Sequence, residues 1–183
     1  MKVAIDAGHG MGNRTAGVYD PGAVAKAGGV TYCEADFTLQ YALTLKWVLQ
    51  EACVPTFLTR SSSAEPCSLR YRVSRAEKAG CTHFISLHVN SAAGKPEGLE
   101  VLYRDRDKDR PLAAELQTRL CATTGFRNRG VKQRLDLAVL KFAPGPAVLI
   151  ELGFINNTQE REWLLVRENR IAVCRTILIA LRS

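Results

Sequence analysis

The feature that most constrains this chain is an alternation of two periodicities. Short runs rich in β-forming residues occupy 3–5, 54–59, 82–90, 99–103, 138–141 and 147–150, and each reads as a strand. Between them, apolar residues recur at helical steps. Phe37, Tyr41, Leu45, Val48 and Leu49 predict a helix over about 33–53. Ser68 is placed to open a helix to 79 that Gly80 ends, a third spans 111–123 and closes at Gly125, and the last spans 158–181. Alternating strands and helices predict an α/β fold: a single-domain three-layer sandwich, residues 1–183, with a mostly parallel twisted sheet of about six strands and helices on both faces. No internal repeat or Pro/Gly/Ser-rich linker divides the chain. The one long stretch without a periodic signal, 11–29, reads as a glycine-containing loop of the kind that is functional in compact domains.

The net charge of +7 favours an anionic partner but says nothing of the fold. Lys/Arg runs interleaved with aromatics are lacking, so nucleic acid is not expected as a partner. The six cysteines, at 33, 53, 67, 81, 121 and 174, include no close pair. They read as reduced thiols, and a zinc knuckle built from them is not expected. The first residues read as a strand, without a basic n-region or apolar h-region, so no secretory signal is expected. No apolar stretch approaches the ~20 residues that cross a bilayer.

Polar residues interrupt the apolar strands at particular places. His9 follows the first strand in Asp6-Ala7-Gly8-His9-Gly10, where the glycines permit a sharp turn. A phosphate-cradling loop is the competing reading of these glycines, but no Lys-Ser/Thr follows them. His88 lies near the end of Phe84-Ile85-Ser86-Leu87-His88-Val89-Asn90, and Glu151 follows Val148-Leu149-Ile150. In open α/β sheets, ligands bind beyond the carboxyl ends of the strands, so these three side chains can converge on one crevice. A buried glutamate is costly without a cation, and two imidazoles with a carboxylate are the usual make-up of a catalytic zinc site. If Glu151 acts as a base, a further carboxylate must serve as ligand. The local candidates are Asp6, Asp20, Glu34 and Asp36, of which Glu34 opens the first long helix.

At this point the chain resembles the zinc-dependent N-acetylmuramoyl-L-alanine amidases of the amidase type-3 family. The resemblance is carried in order by Ile5–Gly10, Glu34, Leu58-Thr59-Arg60, Leu69, Arg72, Phe84–Asn90, Gly98-Leu99-Glu100-Val101, Arg129-Gly130-Val131-Lys132 and Pro146–Asn156. The stretch Ser74-Arg75-Ala76-Glu77-Lys78 departs from the family's asparagine-rich pattern. The resemblance implies Zn2+ held by His9, Glu34 and His88, with Glu151 as catalytic base. It further implies peptidoglycan as the partner and the lactyl–L-alanine amide as the bond hydrolysed. A zinc peptidase cleaving within the stem peptide is the alternative, and a non-catalytic wall-binding module is disfavoured by the intact set of four. The chain is expected to be a monomer made in the cytoplasm without a signal peptide, acting on the wall after release, as endolysins do.

Other residues read more plainly. His83 is expected to be structural or to support a ligand, and Asn90 and Asn156 to cap turns. Arg127, Arg129, Lys132 and Arg134 form a basic cluster that suits either a solvated loop or weak contact with an anionic envelope surface. The apolar stripe of Trp163, Leu164, Ile171, Cys174, Leu178 and Leu181 predicts a core-facing helix, with membrane contact by its basic flank as the sharper idea.

Overall fold

The computed structural model describes residues 1–94 and 96–183. In chain order the strands are β1 (Val3–Ala7), β2 (Gly10–Met11), β3 (Tyr19–Asp20), β4 (Val24–Ala27), β5 (Val30–Cys33), β6 (Thr56–Leu58), β7 (His83–Asn90), β8 (Leu99–Tyr103), β9 (Asn128–Gln133) and β10 (Ala147–Phe154). The helices are α1 (Glu34–Glu51), α2 (Arg72–Lys78), α3 (Arg110–Thr124), α4 (Thr158–Leu165) and α5 (Arg167–Arg182). Six strands form one sheet in the order β6-β1-β7-β10-β8-β9. β6, β1, β7 and β10 are mutually parallel, β8 runs antiparallel to β10, and β9 is parallel to β8. The expected α/β sandwich with a mostly parallel sheet is the architecture found.

The two sheet faces differ. On one, Val3, Ile5, Ile85, Leu87, Val148, Ile150 and Val101 pack against apolar faces of α1, α3 and α5. On the other, Ala4, Phe84, Leu102, Ala147 and Leu149 meet a smaller cover: Ala76 of α2 with Val139, Leu140 and Phe142. Strand alternation assigns these faces, since successive side chains point to opposite sides. In β7, Ile85, Leu87 and Val89 enter the large core, whereas Phe84, Ser86 and His88 face the thinner layer.

Several local expectations need correction. The stretch 11–29 is not an open loop. It holds the ribbon β2–β3 and the first strand of the hairpin β4–β5. Residues 138–140 form a 3-10 turn rather than a strand. Val139 and Leu140 are apolar because the turn caps the thin face, and so short a run cannot be told from a strand by periodicity. Two of the four basic residues, Arg129 and Lys132, lie on a sixth sheet strand, β9, with Arg127 and Arg134 flanking it, so the cluster is not a solvated loop as a whole. The final helix divides at Val166, whose backbone is extended (φ −68°, ψ 126°), giving α4 and α5 in place of one helix over 158–181.

Ser68 makes no side-chain cap, and the segment after it begins as a 3-10 turn, Leu69–Tyr71, before α2. All six cysteines are free, and no described helix is long and apolar enough to cross a membrane. Leu164, Cys174 and Leu181 are buried in the main core.

Candidate metal centre and active site

The parallel strands all end at one edge of the sheet, and there the functional side chains collect. β1 delivers His9 just beyond its end, β7 delivers His88, and Glu151 of β10 sits directly beside His88 in register. A register shift follows between Glu151 and Phe154. Such bulges re-aim side chains next to active sites.

Glu34 arrives from a helix. It is the first residue of α1, where the helix dipole favours a carboxylate. No side chain caps this N-terminus. Instead, the backbone N–H groups of Glu34 and Ala35 donate to the carbonyls of Ala23 (2.8 Å) and Pro21 (3.0 Å). The segment 20–23 is thus a strap laid across the start of the helix.

His9, Glu34 and His88 offer donor atoms that all lie within 4.8 Å of one another. His9 Nε2 is 3.1 Å from Glu34 Oε2, and His88 Nδ1 is 2.8 Å from Glu34 Oε1. Each oxygen of Glu34 also accepts a backbone N–H, from Val89 (3.1 Å) and Ala23 (2.8 Å). Burial alone would push this carboxyl up, but the hydrogen bonds from His88 and His9 together hold it well below the usual range. Burial opposes the charged form of His88, and its bond to Glu34 outweighs this, so its imidazole is shifted upward. Two imidazoles and an ionised carboxylate are a donor set that suits zinc.

Space around the cluster is moulded by glycine. A Cβ on Gly8 would come within 2.6 Å of His88 Nε2. One on Gly22 would come within 2.6 Å of Glu34 Oε2 and 2.7 Å of the His9 ring. His9 itself takes a left-handed backbone (φ 60°), which a non-glycine residue adopts only when its surroundings hold it there.

Two buried arginines supply much of that hold. Arg72 donates to the carbonyls of Ala7 and His9, each at 2.7 Å, and pairs with Asp6 at 2.7 Å. Arg60 donates to the carbonyl of Gly8 (2.9 Å) and to that of Ala35 (2.7 Å), joining the histidine turn to the start of α1. Asp6, completely buried, also accepts from Thr59 (2.8 Å) and Ser86 (2.7 Å). Burial raises its carboxyl, but Arg72 and these hydroxyls outweigh that and hold it below the ordinary range. Asp6 is therefore a structural anion under the turn, not a metal-ligand candidate.

Glu151 has different surroundings. It is largely buried, and its Oε2 is inaccessible and has no hydrogen-bond partner. Burial, opposed by His88 and reinforced by Glu34 and Glu100, pushes its carboxyl up to about 7. A carboxyl poised near neutrality beside a metal-type donor cluster is suited to taking and returning a proton. His9, His88 and Glu151 line one cleft of about 320 Å3. Asn13 and Arg14 of the 11–29 stretch form one wall, with Arg134, Asp136, Leu137, Ala138 and Val139 on another.

The remaining candidates fall elsewhere. Asp20 hydrogen-bonds the back of His9, Nδ1 to Oδ2 at 3.1 Å. Asp36 accepts from the Tyr19 hydroxyl instead. His83 starts β7, about 16 Å along the strand from His88 at the usual rise per residue, and pairs with Thr82 Oγ1. It supports no ligand. Asn90 Oδ1 accepts from the Ser91 N–H, whereas Asn156 donates to the carbonyl of Ala92, 64 residues away, and so ties two distant segments together rather than capping its own turn. Within the basic cluster, Arg129 and Lys132 converge on Glu100. The clamping roles of Arg60 and Arg72 had no signal in the sequence beyond their place in the family pattern, since isolated arginines ordinarily read as exposed.

An α/β sheet with a His–Glu–His cluster that could hold a metal ion, beside a glutamate with a partnerless oxygen at its carboxyl edge, is the class of site found here. Comparison with known proteins narrows the class. The chain belongs to the Amidase_3 family, N-acetylmuramoyl-L-alanine amidase, whose sequence profile matches residues 3–183. It is 33% identical over 165 residues to the uncharacterized Bacillus subtilis protein YqiI, covering 88% of this chain and 74% of that protein. It is 31% identical to the Bacillus subtilis N-acetylmuramoyl-L-alanine amidase LytC over 86% of this chain, and spans only 30% of LytC's length. The catalytic domain of the amidase CwlV from Bacillus (Paenibacillus) polymyxa var. colistinus superposes with a TM-score of 0.85 at 28% identity, covering 98% of this chain and 95% of that one.

Proposed function

We propose that this chain is a zinc-dependent N-acetylmuramoyl-L-alanine amidase that hydrolyses the amide between the lactyl group of N-acetylmuramic acid and L-alanine of the peptidoglycan stem peptide, opening the cell wall. The observation that carries the reading is the juxtaposition in one cleft of the His9–Glu34–His88 donor cluster with Glu151, whose Oε2 is buried and without a partner. Family membership supports the choice of bond.

His9, Glu34 and His88 would hold the ion. The chemistry a zinc ion would supply there is Lewis acidity, which would acidify a water and polarise a carbonyl. Glu151 accepts the proton of the attacking water at its carboxylate and passes it to the departing amine of L-alanine, so its affinity near neutral pH serves both halves of the cycle. Leu102 and Leu149 add an apolar lining to the cleft. No nucleophilic side chain is needed.

Digestion of purified peptidoglycan followed by mass spectrometry tests the reading. Release of intact stem peptides with a free N-terminal alanine is the expected result. Fragments cut between amino acids would replace it with the peptidase alternative. Loss of turnover in chelator and its return with Zn2+ would establish the ion.

A further inference from the structure

We propose that Asp20 is the positioning residue that fixes the ring orientation of His9, so that Nε2 faces the ligand cluster and Nδ1 keeps a carboxylate acceptor when the ion is held. The inference rests on the metal reading above.

The geometry follows from donors and acceptors. Asn13 lies between Arg72 and Asp20. Its Oδ1 accepts from Arg72 Nη2 (3.1 Å), which leaves its amide nitrogen to donate to Asp20 Oδ2 (2.6 Å). The other oxygen of Asp20 accepts the Gly22 N–H at 2.9 Å. An ionised carboxylate can only accept. His9 Nδ1 lies 3.1 Å from Asp20 Oδ2, so with Nε2 given to an ion the ring would donate its Nδ1–H to Asp20. Nε2, on the other side of the ring, faces Glu34 Oε2, 3.1 Å away.

The same strap serves two donors. Asp20 holds His9, and two to three residues on, Gly22 leaves room for the ring while the Ala23 N–H holds Glu34. Carboxylates behind ligating histidines typically contribute 10–100-fold to metal affinity.

The test is Zn2+ affinity by competition with a chromophoric chelator, together with ring-nitrogen NMR of His9 in the zinc-loaded protein. Wild type should bind Zn2+ and show a slowly exchanging Nδ1–H. Asp20→Ala should bind about 10–100-fold more weakly and lose that signal. Asp20→Asn, which keeps an acceptor without the charge, should fall between them. Asn13→Ala removes a neighbouring bond of the strap but spares the Asp20–His9 pair, so it should retain affinity within about threefold. Asp20→Ala binding within twofold of wild type, or an unchanged Nδ1–H signal in it, would overturn the proposal. So would equal losses in Asn13→Ala and Asp20→Ala, which would mean that the strap is merely structural. Failure of wild type itself to bind Zn2+ would sink the metal reading instead, so the two failures are distinguishable.

Discussion

The two faces of the sheet are built from the same strands yet differ in nearly every physical respect. Behind Ile85, Leu87, Val148 and Ile150 stand three long helices and a continuous apolar core. In front of Ser86, His88, Asp6 and Glu151 there is one short helix, a 3-10 turn and a cleft. Polar groups on that side are tied into networks, yet a Glu151 oxygen is left without a partner, as are Nη1 of Arg60 and Nε of Arg72. The thick face holds the fold together, and that allows the thin face to carry buried charge, a left-handed histidine and an acid without a partner. Function sits where the covering layer is thinnest.

The largest separation between the faces should come from Glu151→Gln. Turnover on purified peptidoglycan is expected to fall by a factor of about 10²–10⁴, with bound zinc retained, and a fully active variant would remove Glu151 from the chemistry. Its stability should move the other way. The Glu151 carboxyl rises from 4.5 when unfolded to about 7 when folded. Both states are neutral well below 4.5, and the cost of the buried charge grows as pH rises through this window. In metal-free protein, Glu151→Gln should thus be more stable than wild type by roughly 3 kcal/mol at pH 8 and equal to it near pH 4. Chemical denaturation at the two pH values checks the sign.

Next in size is Arg72→Met, which strands the Asp6 carboxylate and frees the carbonyls of Ala7 and His9. A loss of about 3–5 kcal/mol is expected, accompanied by weaker zinc binding because the histidine turn loses its hold. Normal zinc affinity in the folded variant would show that the turn needs no such clamp. Leu45→Ala, fully buried on the thick face, should cost about 2–5 kcal/mol. Below its melting temperature, however, it should leave kcat and zinc affinity intact, and a parallel fall in both would erase the distinction between the faces. Ile179→Ser, on the outer side of α5 and half exposed, should change stability by no more than about 0.5 kcal/mol.

The thick face was legible in the sequence because burial writes itself as periodicity. Phe37, Tyr41, Leu45, Val48 and Leu49 gave α1, and the apolar runs gave five of the six sheet strands. β9 escaped because Asn128–Gln133 is an edge strand whose residues are polar or half exposed, as edge strands that resist mispairing tend to be. The break at Val166 escaped because apolar spacing continues across it. On the thin face, His9, His88 and Glu151 stood out as polar residues at strand ends, and Glu34 as the acid opening a helix. Asp20 was visible as a nearby carboxylate, but its place behind His9 depends on a strap that only the folded chain creates. Arg60 and Arg72 were invisible in kind, since no one-dimensional pattern marks a cation satisfied by carbonyls.

Glu34 is the first residue of an eighteen-residue rod, about 27 Å long at 1.5 Å per residue. The rod is seated at its middle, where the Tyr41 hydroxyl donates to the Leu164 carbonyl, and at its far end, where Arg182 donates to the carbonyl of Ala52. The helix thus works as a lever whose short tip is a donor atom. A substitution that slides or tilts it by half an ångström at those anchors displaces the carboxylate by a comparable amount, without touching the cleft. Remoteness in such a molecule does not confer neutrality, and screens for variants with altered metal retention should sample the seats of this rod as closely as the site itself.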